Sequence, residues 1–344
     1  MLGAQGEDLP GEPVQPPERP AAYRAPVRRW PIGRAQSLVL VALVVAAAGW
    51  GYNTLAESLA HRWDEAQERD AVSGVLAGAE PIDLGPKGAD ASVLLVHGFI
   101  GAPTNFGELP EKLADAGYHE RAIRLPRHGT TPFGLRETPG SQMLSAVLGE
   151  LRELQGQHKR VFIVGHSMGG ALSTLAASMS ETDGLVLAAP YFRVSHEWYY
   201  VLRPETWTAL TAWAVRWLYK GDVFIRVNRR EAKDDIVSYR WVPTEATQAA
   251  DHVATLARDP HVLEQITCPV LMLHSPEDFA ASPRAAERAL ERMASEDKTL
   301  VWMENSDHHL FWDYDREEAI AAVLEFIERN TTHEEVPSLS VGSP

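Results

Sequence analysis

One cysteine stands in the 344 residues, Cys268, directly before Pro269. A single thiol excludes a disulfide framework, a cysteine-based zinc site and a dithiol redox pair. A lone cysteine of this kind reads as a small buried apolar residue. Basic charge is also scarce, with 32 Lys and Arg against 47 Asp and Glu, a formal net charge of −15. No basic stripe survives in the body of the chain to neutralise phosphates, so no nucleic-acid partner is expected. Apolar content is not short: 45% of the residues are hydrophobic, enough for one large core or two small ones.

Charge is missing altogether from one stretch. Between Ala35 and Ala56 there is no Asp, Glu, Lys or Arg, and Leu38 to Ala48 is almost continuously aliphatic. Those residues make a helix of about 33 Å at ~1.5 Å per residue, against a hydrocarbon thickness of roughly 30 Å. Trp30, Trp50 and Tyr52 stand where interfacial aromatics concentrate. Arg24, Arg28, Arg29 and Arg34 precede the span, and Glu57, Asp64, Glu65, Glu68 and Asp70 dominate the residues after it. The positive-inside rule then keeps the amino-terminal arm in the cytoplasm and sends the bulk of the chain to the extracytoplasmic side. A cleaved secretory signal is the alternative, because Ala46, Ala47 and Ala48 resemble a small-residue cleavage site. The preceding arm is far longer than a usual n-region, which favours a retained single-pass anchor over 35–56. With no cysteine near the span, lipoprotein attachment is excluded. Residues 1–34 are expected to be a disordered tail, since Pro, Gly and Ala with scattered charge bury too little surface to order the chain. Residues 57–88 read as a linker or juxtamembrane helix, and 331–344 as a second loose tail.

The body is organised around residues 161–170, Val-Phe-Ile-Val-Gly-His-Ser-Met-Gly-Gly. A β-branched and aromatic run breaks without a linker into G-x-S-x-G, and small residues with helical propensity come next. That is strand, sharp turn, helix. A nucleophile on so tight a turn needs neighbours without side chains, and the start of the helix aims unpaired N–H groups at any oxyanion formed there. Ser167 is therefore the candidate nucleophile. Upstream, the buried strand Val93 to Val96 runs into His97-Gly98-Phe99. The amides of Phe99 and Met168 are the candidate oxyanion donors. His97, at a strand end, reads as a ligand of a neighbouring loop and is given no proton-transfer role. Helices are expected over 105–116 and 141–155, and strands over 121–125 and 185–188. This alternation of strands and helices predicts a doubly wound, mostly parallel sheet.

Three motifs occur in order: Val-His-Gly-Phe-Ile-Gly-Ala-Pro-Thr at 96–104, Leu-Pro-Arg-His-Gly-Thr-Thr at 125–131 and Gly-His-Ser-Met-Gly-Gly at 165–170. Together they resemble the α/β-hydrolase fold, and most of all its bacterial carboxylesterase and monoacylglycerol lipase branch, over residues 89–330. Arg127 departs from the pattern, standing where such families commonly have glycine. The resemblance implies a Ser, acid, His order along the chain. Asp278, in the loop after the strand 269–274, is in the position that resembles the family's acid, with Glu277 as its local rival. Asn-Ser-x-His at 305–308 resembles the catalytic loop and selects His308 over the adjacent His309. Asp307, His308, His309 and Asp313 could alternatively be imagined as a metal cluster, a weaker reading because the serine and acid motifs already account for one histidine. No cofactor or metal is implied.

Between about 190 and 266 the strand rhythm lapses, and Tyr191, Phe192, Trp198, Tyr199, Tyr200, Trp207, Trp213, Trp217, Tyr219, Phe224, Tyr239 and Trp241 make the segment far more aromatic than the chain. In the family such an insertion is a helical cap over the site, suited to an acyl chain or aryl group. The competing reading is that these rings form the cap's own small core or dock it on the sheet. The implied activity is a serine hydrolase that cleaves carboxylic esters, lipid-derived or of the monoacylglycerol type, through an acyl-enzyme. An acyltransferase with the same triad, or a non-catalytic binding protein on this fold, are the alternatives. A serine at the elbow argues against epoxide hydrolase or dehalogenase chemistry, which on this fold places a carboxylate there.

Overall fold

In the computed structural model, which describes residues 32–195, 202–221 and 225–332, the chain divides into two compact units, residues 1–46 and 47–344. The arm over 1–31, the tail over 333–344, and Trp198, Tyr199, Tyr200 and Phe224 lie outside the described residues. Of the first unit the described part opens helix α1 (Ile32–Glu65), where Leu38, Val39, Leu40, Val41, Leu43, Val44 and Val45 are all exposed. The segment Gln36–Glu65 is long and apolar enough to cross a membrane, with a mean hydropathy of 1.8 over its most apolar window. The helix does not end with the uncharged stretch at Ala56 but continues to Glu65. No Gly or Pro interrupts 52–65, and Ala56 and Ala60, one turn apart, are buried against Trp217, so tertiary packing extends what composition alone would stop.

Within the second unit the strands and helices run in the order β1 (Ile82–Leu84), β2 (Ala91–Val96), α2 (Leu109–Asp115), β3 (His119–Ile123), α3 (Gly140–Gln155), β4 (Arg160–His166), α4 (Met168–Met179), β5 (Gly184–Ala188), α5 (Pro204–Thr211), β6 (Trp217–Tyr219), β7 (Trp241–Pro243), α6 (Thr244–Ala257), α7 (Pro260–Leu263), β8 (Val270–His274), α8 (Pro283–Arg292), β9 (Lys298–Trp302) and α9 (Arg316–Thr332). Seven strands form one sheet in the order β1-β3-β2-β4-β5-β8-β9. Every neighbouring pair is parallel except the edge pair β1 and β3. This is the expected doubly wound sheet, with β1 as an antiparallel edge that the apolar pattern does not mark. Its three residues are intermediate or exposed, so no buried run announces it.

Alternation along the strands divides the core. Leu94, Val96, Ile163, Leu185, Leu187, Val270 and Met272 face one apolar layer with Val147, Leu151 and Leu154 of α3 and Leu172 and Leu175 of α4. Val93, Leu95, Phe162, Val164, Val186, Leu271 and Leu273 face the other, with Leu109 and Leu113 of α2 and Val323, Phe326 and Ile327 of α9. Both faces are covered, which is why the strands read as continuous hydrophobic runs. The elements between β5 and β8 separate into two parts. Ala250, Val253 and Ala257 of α6, with Leu263 and Ile266, belong to the first apolar layer. The antiparallel pair β6 and β7 instead packs Trp217 and Trp241 with Ala56 and Ala60 of α1.

Candidate active site

Ser167 sits between β4 and α4 at φ 55° and ψ −121°, a conformation L-residues rarely hold. Two contacts explain why the chain accepts it. A Cβ on Gly169 would fall 1.9 Å from the Val96 carbonyl oxygen, so only glycine lets the first turn of α4 pack against the end of β2. A Cβ on Gly98 would fall 2.9 Å from Ser167 Cβ, which places the backbone after β2 beside the serine. The turn is pinned by Ser167 N–H donating to the Ala188 carbonyl at 3.0 Å and by Tyr191 N–H donating to the Ser167 carbonyl at 2.9 Å.

Three residues distant in sequence meet there. His308 Nε2 lies 2.8 Å from Ser167 Oγ, and His308 Nδ1 lies 2.8 Å from Asp278 Oδ2. The other carboxylate oxygen of Asp278 accepts from the amides of Ala280 at 2.7 Å and Ala281 at 2.8 Å. Burial pushes the Asp278 pKa upward, yet the charge and hydrogen bond of His308, the charge of His274 and the Ala281 amide outweigh it and hold the carboxyl below its ordinary range. Glu277, the local rival, is exposed. His309 points elsewhere: its ring centroid is 5.2 Å from that of His166. The amides of Phe99 and Met168 donate to no loop or cap partner among the described residues; Met168 follows Ser167 directly, and Phe99 follows Gly98, whose backbone lies beside the serine.

The loop that carries His308 is held by carboxylates that no motif marks. Asp313 accepts from the amides of Asp307, Asn228 and Arg229, and Asp315 accepts from Ser306 Oγ at 2.9 Å and from the Asn305 amide at 2.8 Å. Asp307 pairs with Arg226 Nε at 3.1 Å. Asp307 and Asp313, members of the imagined metal cluster, are thus engaged with a guanidinium and with backbone amides. The acids that come shortly after a candidate base were the available signal.

Four further histidines surround the serine. His166 Nε2 is 3.0 Å from the His308 carbonyl oxygen, which can only accept, so this nitrogen carries a proton. His97 accepts from the Leu125 amide at Nε2 and donates from Nδ1 to the Gly98 carbonyl, tying β2 to the 125–131 loop as expected of a strand-end histidine. Burial drives all four rings towards the neutral form: His166 to about 3, His128 to about 4, and His97 and His309 well below the ordinary value. Arg127 has φ 61°, the left-handed backbone that explains why glycine suits this position.

The aromatic cap residues divide. Phe192, Trp217 and Tyr239 are buried, and Trp217 and Tyr239 pack in apolar clusters with α1 residues, so these rings build and dock the cap. Trp207, Trp213 and Tyr219 are exposed. Near the site, Lys220 Nζ stands 5.0 Å from the Phe99 ring centroid.

Comparison with known proteins agrees with this architecture. The family described as serine aminopeptidase, S33 matches residues 87–315. A thermostable monoacylglycerol lipase of Bacillus sp. (strain H-257) is 29% identical over 259 residues, covering 74% of this chain and 97% of that protein. A carboxylesterase of Bacillus subtilis (strain 168) is 24% identical over 245 residues, covering 71% and 94%. Among solved structures, one from work on the metagenome-derived lipolytic enzymes LipS and LipT is 28% identical with a TM-score of 0.66, covering 74% of this chain and 99% of that one. The monoacylglycerol lipase of Paleococcus ferrophilus shares the fold at a TM-score of 0.62 and 24% identity, covering 73% and 98%. By its sheet, its elbow and this match, the chain belongs to the serine aminopeptidase S33 family of α/β-hydrolases.

Proposed function

We propose that the protein is a membrane-anchored serine esterase that cleaves lipid-derived monoesters, with Ser167 as nucleophile, His308 as base and Asp278 as the acid that orients it. The observation that carries this reading is the unbroken hydrogen-bonded chain of Ser167, His308 and Asp278, with both links at 2.8 Å. Ser167 Oγ attacks the ester carbonyl while His308 Nε2 takes its proton, and the developing oxyanion is received by the Phe99 and Met168 amides. Asp278 holds the Nδ1 proton and offsets the charge of the imidazolium. His308 then returns the proton to the leaving alcohol. Water enters, gives a proton to His308 and breaks the acyl-enzyme, releasing the acid and restoring Ser167.

Ester rather than amide cleavage is favoured because the curated relatives, matched over 97% and 94% of their lengths, are a monoacylglycerol lipase and a carboxylesterase. A lipid-derived substrate is favoured by those relatives and by α1, which would hold the enzyme at a bilayer with its catalytic unit on the extracytoplasmic side. The test is hydrolysis of an acyl-ester series, from acetyl to palmitoyl and including monoacylglycerols, by the full chain and by Ser167→Ala. Turnover that rises with acyl length and vanishes in the variant is the expected result. No turnover of any ester by folded protein would overturn the reading. Acyl transfer to an added alcohol in place of hydrolysis would replace esterase by acyltransferase.

A further inference from the structure

Helix α5 and the turn after it present an apolar stripe to the outside. Trp207 is 47% exposed, Leu210 55% and Trp213 81%, and their spacing of three residues puts them along one side of a helical path. No charged residue occurs from Thr206 to Val215. Two tryptophans and a leucine exposed within seven residues form a patch that a water-facing surface rarely carries, and an uncharged one rich in threonine matches the membrane interface better than a protein rim.

The position of this stripe is fixed by α1. Asn53 works as a peptide group would: its Nδ2 donates to the Ala214 carbonyl at 2.8 Å and its Oδ1 accepts from the Arg216 amide at 2.9 Å. Tyr52 Oη donates to the Trp217 carbonyl at 2.7 Å, and Ala56 and Ala60 bury the Trp217 ring. Asn53 lies three residues before Ala56, the last residue of the uncharged stretch, or about 5 Å along the axis at ~1.5 Å per residue. If that stretch occupies the hydrocarbon, Ala214 stands at the level where the hydrocarbon gives way to headgroups. Trp213 is its neighbour in the chain. On α1 itself Trp50 and Tyr52 are exposed at the same level.

We propose that α5 and the turn after it are a second membrane contact, in which Trp207, Leu210 and Trp213 enter the interface of the bilayer that α1 crosses. The occupant is the lipid surface, because the hydrogen bonds at Asn53 hold the Trp213 end of the stripe near the level of the anchor's own interfacial aromatics. The inference rests on the membrane-anchored reading above. It makes the cap a two-point mount, with α1 on one side and an amphipathic element on the other, so the cap is held against the membrane instead of swinging on a linker.

The test uses the full chain in phosphatidylcholine vesicles, with Cys268→Ser as background and a single cysteine carrying the environment-sensitive dye NBD at Trp207→Cys, Trp213→Cys or Met179→Cys. Met179 is exposed and closes α4 at the end remote from Ser167. Emission at 207 and 213 is expected to shift to the blue and to be quenched by lipids nitroxide-labelled near the headgroup, while 179 responds only to a water-soluble quencher. Dyes at 207 and 213 that behave like the one at 179 would overturn the proposal. So would a blue shift without lipid quenching, which would mean burial against protein. Alkaline carbonate extraction of the same vesicles separates the two readings. Release of the protein would defeat the anchor itself, whereas a retained protein with 207 and 213 in water would defeat only the second contact.

Discussion

Around Ser167, position is held by polar contacts of defined direction: His308 between two partners at 2.8 Å, Asp278 on two amides, and the base loop on Asp313 and Asp315. Around Trp217, further along the chain, it is held by surface burial. Ala56, Ala60, Phe133 and Trp241 enclose one indole, and Trp63 meets the Tyr239 ring edge-on at 5.7 Å. Directional contacts fail all at once when a partner is removed, and apolar packing fails in proportion to the surface lost. The first region should therefore break in chemistry while staying folded, and the second should lose stability while the chemistry persists in what remains folded.

The largest effect separates the regions outright. Ser167→Ala is expected to lower kcat by about 10⁴-fold or more, and Asp278→Asn by a similar factor because it favours the wrong histidine tautomer. The thermal melt of the serine variant should be nearly unchanged. Equal loss of stability and activity would show that the polar centre also holds the fold.

Next comes the packing side. A chain beginning after Glu65 loses Ala56, Ala60 and Trp63, and exposing Trp217 and Tyr239 is expected to cost at least about 3 kcal/mol of stability in a denaturant titration. A chain beginning at Ala47 keeps those contacts and should melt like the full chain. Equal stability of the two would mean that α1 is only a tether.

These two experiments bear on different kinds of sequence information. The elbow was legible because its requirements are local: a glycine where the Val96 carbonyl leaves no room and a strand ending where a helix starts. Asp278 and His308 were legible through motif resemblance, and their loops are short and come directly after β8, which is buried throughout, and β9, an edge strand that is not. The carboxylates that hold the base loop were not, since an acidic residue on a loop reads as solvated until its amide partners are known. Composition leaves 57–88 open between a linker and a juxtamembrane helix; the helix runs on as far as Glu65, where Trp217, distant in sequence, covers Ala56 and Ala60. Edge strand β1, with no buried residue, gave no apolar signal.

A smaller, graded effect comes from the histidines around the serine. His166 and His128 have folded pKa values of about 3 and about 4, below the ordinary value of 6.5. The unfolded chain therefore binds protons that the folded chain refuses. Stability should be fully present above pH 6.5 and decline as pH falls towards 4, with a slope of about 1.4 kcal/mol per unit for each ring kept neutral. Urea midpoints across this window provide the measurement, and a flat profile would contradict neutral burial. His166→Gln should reduce the slope and leave the packing of the Trp217 cluster intact.

The smallest effect concerns the loop tied to β2 by His97. Arg127 holds φ 61°, so Arg127→Gly relieves left-handed strain against a greater loss of unfolded-chain entropy, for a net gain of up to about 1 kcal/mol. A loss of stability on chemical denaturation would mean that the arginine side chain contributes more than its backbone costs.

The most direct measurement of the central claim is the intact mass of the folded protein after treatment with a fluorophosphonate, with the adduct located by peptide mapping. A single adduct is expected on Ser167, absent from Ser167→Ala and formed far more slowly in His308→Ala. Folded protein that takes up no phosphonyl group, or takes it up at another residue, would contradict a nucleophilic Ser167 and with it the proposed ester chemistry.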